Sequence, residues 1–203
     1  MNPLSPFFRI FLMVVFFIGI LPYSLLNHGG CARAQTAVEA AIDPAIPELI
    51  RRQQYNEAIT RIEQVLEREP GNAAALTYMA TANFYQKQRF VESQKEFEEA
   101  FKAGGGATFF VFHSHEKFTM DDLVDYCRGW LHLRRDGIEF VPSEGSHGFK
   151  LQFSEIKEFQ RNRLSKRLFH IKAGEKTYNF RGRSNTEFEP LLIIALYKSF
   201  TKN

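Results

Sequence analysis

The chain is predicted to be α+β: helical hairpins come first, and a small barrel-like β domain closed by a C-terminal helix follows. Three observations predict this. Apolar residues between 55 and 102 recur at helical spacing, the period falls to two past Gly104-Gly105-Gly106, and residues 186–200 return to a helix apolar almost all round. At 203 residues, 44% apolar and 24% charged, the chain can bury a core in one or two domains. The formal charge of +3 conceals an asymmetry, because residues 35–107 carry a net −3 and residues 108–203 a net +4. Neither is the dense basic stripe that nucleic acid requires, so that partner class is excluded.

The N-terminal element comes first in order. Residues 10–21, IFLMVVFFIGIL, are twelve residues without a charge, preceded by Arg9. A membrane span needs roughly 20 apolar residues, whereas this length suits a secretory signal. Ala32 and Ala34 supply the small residues that signal peptidase reads, so a signal over 1–34 and a mature chain from Gln35 are expected. Export to a bacterial periplasm or to the medium follows. An uncleaved N-terminal anchor is the alternative, since Leu25 and Leu26 extend the apolar run; lipidation at Cys31 is disfavoured by His28. Cleavage leaves Cys127 as the one cysteine, and its alternation with Gly129, Leu131 and Leu133 points it inward as a core residue.

Asp43 is placed to cap a short helix with Pro44 at its first position. Residues 55–69 form a second helix with Ala58, Ile59, Ile62, Val65 and Leu66 on one face, closed by the Glu-Pro-Gly-Asn turn at 69–72. A hairpin over 73–102 breaks at 86–89. Its first arm carries Leu76, Met79, Ala80, Asn83 and Phe84; the second carries Phe90, Phe97, Ala100 and Phe101.

Tyr55, Ala58, Ile62, Val65 and Pro70, then Ala80, Thr81, Phe84, Phe90, Ser93, Phe97 and Ala100, stand where the tetratricopeptide repeat has its aromatic, small and closing residues. Residues 39–107 thus resemble two such repeats, over 39–72 and 74–107, close to the period of 34 residues. The prolines inside the first helix and the glycines where the second repeat would end depart from the pattern. The resemblance implies a scaffold whose concave face, lined here by Tyr78, Ala82, Tyr85 and Gln86, receives a protein or peptide partner. Two repeats are fewer than such arrays need, so oligomerisation or the second domain must cover the open end. Residues 104–106 read as a linker.

In the β half, strands are expected at 108–115, 126–133, 138–142, 148–153, 155–161, 167–172 and 176–181, with Asp136-Gly137 a hairpin turn. A short helix capped by Thr119 is expected after the first strand. Thr186 with Glu189 reads as a capping box opening the final helix. This order of seven strands and a helix over 108–203 resembles the pleckstrin-homology-like barrel, also found in GRAM domains. That resemblance implies a module binding peptides or lipid headgroups.

Three groups of residues carry the functional readings. Trp130, on the outer face with His132, suits a partner interface or packing on the helical hairpin. Arg161, Arg163, Lys166 and Arg167 form a basic cluster at a hairpin tip, suited to anionic lipid or an acidic partner. His113 and His115 share one strand face at metal-ligand spacing, with His147, Glu116 and Cys127 as conceivable further ligands. A phosphate loop, a nucleophile elbow and paired cysteines are all missing, and no cofactor is expected. The leading expectation is a non-enzymatic, exported adaptor. A metal-dependent envelope enzyme using His113 and His115, and a peripheral anionic-lipid binder, are the alternatives.

Overall fold

The computed structural model describes residues 42–115, 126–145, 147–163, 165–184 and 186–202. The expected signal segment and the helix capped by Thr119 lie outside them. Among the described residues four α-helices come first: α1 (Ala45–Arg51), α2 (Tyr55–Arg68), α3 (Ala73–Lys87) and α4 (Phe90–Lys102). Local chemistry sets their ends. Asp43 Oδ1 accepts from Ala45 N at 2.9 Å, and Asn72 Oδ1 accepts from Ala75 N at 2.9 Å, each satisfying a donor that the first helical turn leaves open. Gln88, in the left-handed region at φ 49°, ends α3 and turns the chain into α4.

Seven strands follow: β1 (Ala107–Ser114), β2 (Tyr126–Arg134), β3 (Gly137–Pro142), β4 (Phe149–Leu151), β5 (Ile156–Arg161), β6 (Leu168–Ala173) and β7 (Lys176–Gly182). They form one antiparallel sheet in the order β4-β3-β2-β1-β7-β6-β5. No ladder joins β4 to β5, so these two are its edges. The last helix, α5 (Phe188–Phe200), packs against β5, β7 and α4. Phe200 stacks on Phe101 with 3.8 Å between ring centres, and Tyr197 meets Phe159 at 4.7 Å. The element order is therefore the expected one, an α+β chain with a seven-stranded antiparallel sheet and a C-terminal helix.

β1 is the strand on which the helices and the sheet meet. β2 pairs with its whole length, but β7 pairs only with Val111–Ser114. The edge from Gly106 to Phe110 would otherwise present bare backbone groups, a costly state when buried. Three hydroxyls of α3 cover it. Thr77 Oγ1 accepts from Gly106 N at 3.0 Å, Thr81 Oγ1 donates to Thr108 O at 2.9 Å, and Tyr85 Oη accepts from Phe110 N at 2.8 Å. The spacings agree because four helical residues rise about 6.0 Å, close to the roughly 6.6 Å of two strand residues. Phe109, meanwhile, packs on Phe84 and Phe97.

Gly104–Gly106 is no linker. Gly105 and Gly106 are buried, and a Cβ on Gly105 would run into Thr77 Oγ1 and the Ala73 carbonyl. The expected boundary at 107/108 thus falls at a junction packed on both sides, within one compact unit.

Candidate functional site

The residues expected to line an open groove are mostly inside the protein. Tyr78, Ala82 and Tyr85 are 1%, 0% and 6% exposed, because the face of α3 that carries them is pressed onto β1. The expectation that they contact a separate partner is corrected by this burial. Only Gln86 is exposed, where its amide donates to Asn56 on α2. Trp130 is also buried, edge-on to Tyr78 at 6.3 Å and to Phe110 at 5.2 Å, so it serves the junction and offers no interface. His132 beside it is buried against Thr108.

A buried polar cluster fastens the same junction. Glu189, 0% exposed on α5, accepts from Tyr85 Oη at 2.7 Å through one oxygen and from Ser184 N at 2.7 Å through the other. The expected capping box with Thr186 is not formed. Its glutamate turns inward, and Thr186 bonds Ser184 instead. Burial pushes the Glu189 carboxyl up to about 7, against the opposing pull of its hydrogen bonds and of Arg183. It also drives the Tyr85 phenol well above its ordinary range. Arg183 lies over the rings of Phe110 and Tyr85, at 5.3 and 5.8 Å. It donates to the carbonyls of Ile50 and Arg51, at 3.1 and 2.8 Å, at the C-terminus of α1. The sequence reading missed this cluster. Its legible signal was a glutamate within an otherwise apolar stretch.

The basic residues sit where expected, around the turn from β5 to β6. Arg161 and Lys166 both approach the Glu187 carboxylate, at 3.2 and 3.5 Å. Arg163 and Arg167 are exposed and have no ion pair among the described residues. One carboxylate therefore answers two of the four cations. β5, which leads into this tip, has no ladder partner on its outer side among the described residues.

The histidines converge with Cys127 at the other end of β1. His113 and Cys127 are direct cross-strand partners, and His113 Nδ1 lies 3.7 Å from Cys127 Sγ. Ligand atoms of His113, His115 and Cys127 all lie within 4.8 Å of one another. The His147 ring, from the β3–β4 connection, stands 4.2 Å from that of His115. Cys127 is half-buried at this cluster, not the inert core residue expected. His113 is buried among Phe180 at 5.0 Å, Phe140 at 5.1 Å and Phe149 at 6.0 Å. That burial, with the neighbouring histidines, holds its imidazole down at about 4, so it is neutral at pH 7.

No protein-family model and no curated protein matches this chain. Solved structures do. The N-terminal pleckstrin-homology domain of the human protein ARAP2 is 13% identical, with a TM-score of 0.38 over 47% of this chain and 77% of that one. Inner membrane complex sub-compartment protein 3 of Toxoplasma gondii is 8% identical, with a TM-score of 0.38 over 55% and 85%. The C-terminal domain of an unknown protein from Leishmania infantum is 10% identical, with a TM-score of 0.35 over 45% and 81%. No helix among the described residues is long and apolar enough to cross a membrane.

Proposed function

We propose that this chain is an exported, non-enzymatic interaction module that captures an acidic segment of a partner protein. The observation that carries this reading is the basic turn between β5 and β6. Two of its four cations share one carboxylate and two are left without an ion pair, beside a strand edge that has no ladder partner among the described residues. An extended peptide can add to such an edge through main-chain hydrogen bonds, while Arg163 and Arg167 meet its carboxylates. In this reading α1–α4 are two tetratricopeptide-type hairpins, and the face such repeats offer to a partner holds β1 of the same chain. The seven-stranded sheet, pleckstrin-homology-like in its order of strands, is the half that carries the basic turn.

Fluorescence anisotropy with a labelled polyglutamate peptide tests the proposal. Binding that weakens steeply with salt, and by more than about tenfold in Arg163→Glu with Arg167→Glu, is the expected result. Equal binding by that double variant would refute it. Binding to anionic vesicles in the absence of peptide binding would move the assignment to a lipid surface.

A further inference from the structure

We propose that His113, His115 and Cys127, with His147 as the fourth ligand, form a binding site for a zinc-class divalent cation. Three separate stretches of chain deliver the donors. β1 supplies His113, and its end supplies His115, two residues on and so on the same side. β2 supplies Cys127 directly opposite His113, and the β3–β4 connection supplies His147. Converging donors from separate elements make a stronger signal than a His-x-His pair on one strand.

The distances suit the ion. With zinc–nitrogen bonds of 2.0–2.1 Å and a zinc–sulfur bond near 2.3 Å, tetrahedral coordination places nitrogens about 3.3 Å apart and nitrogen and sulfur about 3.6 Å apart. The His113–Cys127 pair, at 3.7 Å, already has that separation. The ligand atom of His115 lies within 4.8 Å of those of His113 and Cys127, a gap that rotation of its exposed side chain would have to close, and the His147 ring centre stands 4.2 Å from that of His115. Phe140, Phe149 and Phe180 pack around the His113 ring and restrict its orientation. Imidazoles with one thiolate form a borderline-soft set, which favours zinc over calcium or magnesium. Four protein ligands would complete the tetrahedron. The ion would then tie β1, β2 and the β3–β4 connection together, with its binding displacing the thiol proton.

Cobalt(II), added to the metal-stripped full chain, tests the site by absorption. One equivalent is expected to give the thiolate-to-cobalt charge-transfer band and the intense visible bands of tetrahedral cobalt, both removed by competing zinc. Cys127→Ser should lose the charge-transfer band while remaining folded by circular dichroism. His115→Ala and His147→Ala, both at exposed positions, should each weaken cobalt binding at least about tenfold. Absence of the thiolate band in the unsubstituted chain would overturn the site. Undiminished binding by His115→Ala would overturn it equally, and undiminished binding by His147→Ala would overturn the assignment of the fourth ligand.

Discussion

Glu189→Gln tests the energetics of the junction most directly. The folded protein holds the Glu189 carboxyl at about 7, against an ordinary value of 4.5. The folded state therefore binds this proton more tightly than the unfolded chain does. A raised carboxyl contributes stability that is fully present below the unfolded value and is lost as pH rises through the folded one. The gap of 2.5 units corresponds to about 3 kcal/mol lost between roughly pH 4.5 and 7. Tyr85 of α3 and Ser184 face the carboxyl directly, Arg183 acts on it from the β7–α5 connection, and burial together with this carboxylate raises the phenol of Tyr55 on α2. A phenol has one proton and two acceptor sites. When Glu189 is neutral it donates to Tyr85, which accepts also from Phe110 N and is released to donate to Phe110 O, 3.2 Å away. Glutamine reproduces the neutral form, its amide nitrogen donating to Tyr85 and its oxygen accepting from Ser184 N. Urea unfolding at pH 5, 6, 7 and 8 measures the difference. The variant is expected to match the parent near pH 5 and to exceed it by up to about 3 kcal/mol at pH 8, with unchanged m-value. His113 titrates in both chains and cancels in the difference. Parallel stability curves for the two chains would show that the buried carboxyl carries no such burden.

Tyr85→Phe removes the acceptor for Phe110 N and the donor to Glu189 at almost constant volume, so a loss of about 1–3 kcal/mol in urea unfolding is expected. Gly105→Ala forces a methyl against Thr77 and Ala73 and is expected to cost about 1–3 kcal/mol. In thermal unfolding this appears as a fall of roughly 2–4 °C per kcal/mol. Gly71→Ala, where nothing lies within 4 Å, is the control expected to leave the midpoint unchanged.

Much of the fold was legible because its signals are local. Alternation placed the strands to within about two residues, and the periodic apolar faces placed α2, α3 and α4. Position relative to other elements was not legible. Tyr78 and Tyr85 fall on one helical face whether that face meets solvent, a partner or β1, and α3 is apolar on too many sides to choose among them. Three consecutive glycines read equally as a linker and as a close backbone crossing; only the packed neighbours of Gly105 decide. His113 and His115 were read as a pair with Cys127 as one of three conceivable further ligands, yet the pairing of Cys127 with His113 depends on the β1–β2 register, which the spacing of the histidines does not determine.

The hydroxyl series Thr77, Thr81, Tyr85 explains why the helices and the sheet form one unit. Two hairpins alone leave an apolar face open, and a sheet whose central strand outruns β7 leaves a backbone edge open. Each defect costs free energy alone, and each has the shape of the other's remedy. The helix repeats its hydroxyls every fourth residue where the strand repeats its backbone groups every second, so one face of α3 meets both needs. Tyr85 is the last of the series, long enough to reach past Phe110 to Glu189, and it brings α5 into the same network. A surface already committed to three such hydrogen bonds is poorly suited to exchanging partners. Arg163 and Arg167, in the β5–β6 turn, take no part in that network and stay exposed.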